Sequence, residues 1–130
     1  MDAAQALREL AELSSQIESA VVLSADGSVL ASTHEDPARA AALASSTLEL
    51  VGAAFELNAQ PQEVTRVEVE LEGGAFFVLR DGGRTIAATT GSQPTSGLVV
   101  YDLRTCLHGI EAPEQKKKRS AMRKPKDGAE

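Results

Sequence analysis

Few residues in this 130-residue chain have the types and spacing that chemistry needs. The single cysteine, Cys106, stands between Thr105 and Leu107 with no base beside it in sequence, which suits a buried structural thiol better than a nucleophile. One thiol also excludes an internal disulfide and a thiolate metal cage made by one chain. The two histidines, His34 and His108, lack carboxylate or cysteine companions at metal-ligand spacing. His34 falls in a loop, and His108 falls near a helix C-terminus, where partial positive charge is favoured. Glu68, Glu70 and Glu72 share one strand face; side by side they read as a solvated edge that discourages unwanted strand pairing rather than as a cation site. No Gly-x-x-x-x-Gly-Lys-Ser/Thr loop exists, and residues 1–110 contain no lysine, so a P-loop nucleotide site is excluded. Gly73-Gly74 and Gly82-Gly83 are hairpin turns. No catalytic residue, metal ligand or cofactor follows from these residues.

Charge is divided sharply along the chain. Residues 1–110 hold six Arg and fifteen Asp or Glu, a net of −9, whereas residues 111–130 hold five Lys and two Arg against four acids, a net of +3. An acidic domain over 1–110 therefore carries a basic tail over 111–130, expected to be disordered because its like charges repel and its periodicity is lost. The cations are Lys116, Lys117, Lys118, Arg119, Arg123, Lys124 and Lys126. Such charges could contact an anionic membrane, nucleic acid or an acidic protein surface, this chain's own body included, weakly and in a salt-sensitive way. Met122 is the one sizeable apolar residue among them, which disfavours a lipid-inserting helix. Aromatic content is 3% with no Trp, too little for base-stacking platforms. Met1-Asp2 opens without the features of a signal peptide, and no run approaches the ~20 apolar residues of a membrane span. A cytoplasmic protein is expected.

The elements that must position these residues can be read in order. Ala3 to Glu18 has one apolar face made of Leu7, Leu10, Ala11, Leu13 and Ile17, and predicts a helix capped by Asp2. Ala20 to Ser24 and Val29 to Ser32 flank Asp26-Gly27 and predict a hairpin. Asp36-Pro37 opens a second helix running to Leu57, followed by a break over 58–62. Thr65, Val67, Val69 and Leu71 alternate with charged residues as a half-buried strand. Ala75 to Leu79 and Thr85 to Thr90 complete an antiparallel meander. Ser96 is placed to cap a final helix from Gly97 to His108, with Leu98, Val99, Leu103 and Leu107 inward and Gly109 as the stop. The order is α-β-β-α-β-β-β-α.

The second helix has more apolar surface than one face of a sheet ordinarily covers. Leu43, Thr47, Leu50, Ala54 and Leu57 form one stripe at roughly 100° per residue, and Ala41, Ala44, Leu48, Val51 and Phe55 form another about 110° away. Ser45, Glu49, Ala53 and Glu56 are left for water. One stripe is expected to pack on the chain's own sheet and the other on a partner, most simply the same helix of a second copy. A helix wedged between a sheet and a long loop is the alternative.

This order, with particular residues, resembles the Roadblock/LC7 family, which includes MglB-type regulators of small bacterial GTPases and dynein light chains. The resemblance rests on Ala20-Val21-Val22-Leu23-Ser24-Ala25-Asp26-Gly27, the small-residue helix from Pro37, Val67-Glu68-Val69-Glu70-Leu71 before a Gly turn, and Ser96-Gly97-Leu98-Val99-Val100-Tyr101-Asp102-Leu103-Arg104. It spans roughly residues 3–110. It implies an α+β, profilin/longin-like sandwich: a five-stranded antiparallel sheet with the first and last helices on one face and the long helix on the other. It also implies a homodimer through the long helix and the strand from Val64 to Glu72. The expected interface is Ala41, Ala44, Leu48, Val51 and Phe55 with Val67 and Val69.

The function implied is that of a non-catalytic homodimeric regulator or scaffold of a small Ras-like GTPase, with acceleration of GTP hydrolysis as the finer expectation. Fold alone does not establish that step. Arg39, the one arginine on the long helix, lies too near its start to be nominated as an arginine finger. The alternative is an adaptor whose polybasic tail brings a partner to membrane or nucleic acid. A small-molecule sensor, with a pocket between sheet and first helix, is a third.

Overall fold

The computed structural model describes residues 1–57 and 63–110. Three helices and five strands follow in the expected order: α1 (Ala3–Leu13), β1 (Ile17–Leu23), β2 (Val29–Ser32), α2 (Pro37–Phe55), β3 (Arg66–Leu71), β4 (Gly74–Asp81), β5 (Arg84–Thr90) and α3 (Ser96–His108). The strands form one antiparallel sheet in the order β2-β1-β5-β4-β3. The break expected over 58–62 and the tail expected over 111–130 lie outside the described residues.

Strand alternation sends successive residues to opposite faces, and the register turns that alternation into two layers of core. Val21, Ala87, Val78 and Val67 are aligned across four strands and meet α2. One residue along, Val22, Ile86 and Leu79 meet α1 and α3. The α1/α3 side is the larger core, holding Leu7, Leu10, Phe77, Val99, Leu103 and Leu107. Burying each such side chain contributes about 1.5–3 kcal/mol. The β4–β5 hairpin closes on Gly82-Gly83, both with positive φ (61° and 82°), as the two-residue turn that matches strand twist requires.

Several local expectations differ from the structure: the β3–β4 turn is Glu72-Gly73, with Gly74 already in β4, and the second helix ends at Phe55 rather than Leu57. The first helix stops at Leu13, not Glu18: Ser14 takes an extended conformation (φ −99°, ψ 119°) and its N–H bonds back to Leu10 O. Ile17 and Glu18 therefore belong to β1, where β-branched Ile17 suits a pleated surface better than a helix, and Leu13 turns to solvent. The final helix is capped by Thr95 rather than Ser96, without a side-chain bond; instead the Thr95 N–H donates to Gln16 Oε1 at 2.6 Å. Its inward seam is Val99, Val100, Leu103, Cys106 and Leu107. Leu98 falls outside that seam, in line with Asp102 and Thr105.

Candidate interaction surface

Asp36 and Pro37 start α2 as their chemistry dictates: Asp36 Oδ1 accepts from the Ala38 N–H at 2.9 Å, and Pro37 occupies the first turn. The helix then lies on the sheet along a seam of Ala40, Ala44 and Thr47, all buried, continued by half-buried Val51 and Ala54. Thr47 is a polar residue in an apolar contact, satisfied by donating its hydroxyl to Leu43 O at 2.8 Å.

This seam runs between the two stripes read from sequence, so the stripes do not face opposite sides. A helix lying on a sheet is covered over an arc of about 100° or more, and that arc takes part of each stripe. Ala44 is 6% exposed and belongs to the chain's own core, where Val51 also packs. Ala41, Leu48 and Phe55 are exposed, Leu48 at 47% and Phe55 at 42%. Leu48 leans over the β1–β2 turn, where a Cβ on Gly27 would stand 3.1 Å from its Cδ1.

On the opposite flank of α2 lies a feature the sequence reading missed. Leu43 and Leu50 form one wall of an open, largely apolar groove of about 520 Å³, with Val69, Leu71 and Phe76 opposite. Two i, i+7 leucines beside the alternating valines of β3 are the signal in the sequence, on the stripe that the expected interface leaves out. Val67 and Val69 are half-buried, and Leu71 is 61% exposed. β3 pairs with β4 and ends the sheet among the described residues, so one row of its backbone donors and acceptors has no strand partner there. Glu68 and Glu70 lie on the opposite sheet face, in register with Phe77 and Ala75. Arg66 Nε approaches Glu68 Oε2 at 3.4 Å, in the open, where such a pair adds little.

The residues with reactive side chains lie apart from one another. Cys106 is buried, and its thiol is pushed up to about 11 by desolvation and then by the Glu9 charge, the opposite of nucleophile activation. His108 Nε2 meets Asp81 Oδ2 at 2.6 Å on an exposed helix end. The backbone N–H of His34 donates to Ser32 Oγ at 2.9 Å. Asp26 accepts from the Ser24 hydroxyl and from the N–H and hydroxyl of Ser28 in the β1–β2 turn, which lowers its pKa to about 2. Arg39 is exposed in the first turn of α2. Lys116, Lys117, Lys118, Arg119, Arg123, Lys124 and Lys126 lie outside the described residues.

A five-stranded antiparallel sheet between one helix and two, with an open edge beside an apolar groove, defines a small α+β sandwich domain. The chain belongs to the Roadblock/LC7 family: the model described as Roadblock/LC7 domain matches residues 3–90. Among solved structures, a Roadblock/LC7 domain from Streptomyces avermitilis is 23% identical with a TM-score of 0.73, covering 83% of this chain and 93% of that one. MglB of Myxococcus xanthus is 14% identical with a TM-score of 0.60, covering 80% and 77%. The gliding protein MglB of Thermus thermophilus is 16% identical with a TM-score of 0.60, covering 80% and 82%. Identities this low establish the shared fold. No match emerges among curated proteins.

Proposed function

We propose that this chain is a non-catalytic regulator or scaffold that pairs with a second copy through α2 and β3 and docks a small Ras-like GTPase on the paired face. The observation that carries this reading is the apolar surface left open on the α2 face of the sheet, with exposed Leu48 and Phe55 on one flank of the helix and the Leu43/Leu50 groove and open β3 edge on the other. Pairing β3 with β3 satisfies the open backbone row, and the flanking helices then cover the apolar groove. Family membership and the fold shared with MglB support the same reading; one solved MglB has a tetrameric arrangement. Ala44 and Val51 act in this scheme from beneath, by holding α2 on its sheet, while Leu48, Phe55, Val67 and Val69 make the contact.

The test is affinity purification of the tagged full chain, identification of any co-purifying GTPase, and single-turnover GTP hydrolysis by that GTPase with and without the chain. A GTPase that binds the chain and loses binding on Leu48→Glu supports regulation or scaffolding, and faster hydrolysis supports the activating form. Absence of any GTPase, or binding that requires the basic residues and ignores Leu48, favours the adaptor instead.

A further inference from the structure

The α1/α3 face carries a second feature, independent of α2 and β3. A cleft of about 170 Å³ opens between the two helices, with Glu9 and Leu13 on one wall and Asp102 and Cys106 on the other. Leu13 (82% exposed), Leu98 (50%) and Tyr101 (66%) leave large apolar groups exposed on the same two helices. Charge is segregated around this cleft. Arg8 lines a separate groove toward β2 and Arg104 one toward β4, so the side-chain charges in the cleft are carboxylates. The Met1 amine is at one end, donating to Gly109 O at 3.3 Å.

Gly109 lines the cleft, and the described chain ends one residue later at Ile110. Lys116 follows six positions on. Six extended residues span roughly 20 Å, and α3 from Leu98 to Gly109 is about 16 Å long. The first basic run, Lys116-Lys117-Lys118-Arg119, is therefore tethered within reach of the whole cleft.

We propose that this run folds back along the α1–α3 cleft of its own chain, its aliphatic stems over Leu13, Leu98 and Tyr101 and its charged heads beside Glu9 and Asp102. Long cationic side chains are suited to such a surface because they cover apolar groups while keeping their charge at the carboxylates, and Tyr101 adds a ring face for a cation. Each exposed pair is weak; four cations sharing one short tether stay at high effective concentration beside the two carboxylates. The contact is salt-sensitive. It masks the apolar mouth and holds the basic run back from other anions until they compete for it.

The test uses the ¹⁵N-labelled full chain, comparing amide spectra at about 0.05 M and about 0.5 M NaCl, where screening lengths differ severalfold. The account expects shifts at Glu9, Leu13, Leu98, Tyr101 and Asp102, with α2 and β3 unchanged. The variant Lys116→Gln/Lys117→Gln/Lys118→Gln/Arg119→Gln should give the high-salt positions already at low salt, and Glu9→Gln/Asp102→Asn should release the tail amides likewise. Three results overturn it: no salt-dependent shifts on α1 and α3, the same shifts in the tail variant, or shifts that grow with protein concentration and so belong to a neighbouring copy. Vesicles containing phosphatidylserine that bind the chain without moving the α1–α3 resonances would also overturn it, since the basic run would then have been free.

Discussion

Cys106 and Asp26 show how local surroundings set chemistry. The Cys106 thiol is buried and stays protonated well past its ordinary range, to about 11, so alkylation by iodoacetamide should be slow at pH 8 and accelerate only above about pH 10. Because its folded pKa is raised, the stability linked to the neutral thiol is present below about pH 9 and is lost as pH rises through about 11. Thermal melts should therefore fall across that interval in wild type and less in Cys106→Ser. For Asp26 the sign reverses. Its carboxylate, held at about 2 by Ser24 and Ser28, supports the β1–β2 turn above about pH 4 and stops doing so as pH falls toward 2. In an NMR titration, Ser28→Ala should move that pKa back toward the ordinary value of 3.8. The structural thiol was legible because Cys106 has no base nearby in sequence. The Asp26 network was not, since an Asp-Gly turn signal does not say which hydroxyls bend inward.

At the scale of elements, each boundary depends on contacts that sequence patterns report unevenly. Strand alternation put Val67, Val69 and Leu71 together on one face because a period of two sends them the same way, and the structure makes that the α2 face. The α2 helix was harder to read. Its small and apolar residues extend around so much of the circumference that periodicity did not identify the seam, and the sheet took Thr47 from one stripe, Ala44 from the other and Ala40 from between them. The end of α1 was obscured because Ile17 continues a helical spacing while its side chain serves β1. Two substitutions test these placements. Leu103→Ala, at a fully buried site of α3, should lower stability by about 2–5 kcal/mol in urea melts. Gly74→Ala places a Cβ 2.5 Å from Thr90 O, in backbone that cannot swing aside; it should cost about 1–3 kcal/mol, whereas Gly52→Ala, with nothing within 4 Å, should be neutral or slightly stabilising.

For the whole molecule, the layered fold was legible because every tight turn had Asp-Gly or Gly-Gly at it or, for Glu72-Gly73, one residue beyond it, and each helix start had a cap residue at or beside it. How much apolar surface the fold leaves open was not legible, since that depends on the angle at which α2 meets the sheet. The reason for association consequently moves from a helix with two greasy sides to one face of the assembled domain: Leu48, Phe55, the Leu43/Leu50 groove and the β3 edge. Val51→Glu is a poor probe of pairing because half-buried Val51 packs against the core, so a charge there should destabilise the fold as well. Leu48→Glu changes a half-exposed residue and should alter stability by no more than about 0.5 kcal/mol. Light scattering on both proteins at concentrations on the order of tens of micromolar, where obligate pairing is complete, is the most direct measurement. Pairing through α2 and β3 predicts about twice the 13.6 kDa chain mass for wild type and the single-chain mass for folded Leu48→Glu; a wild-type monomer, or a Leu48→Glu dimer, contradicts it.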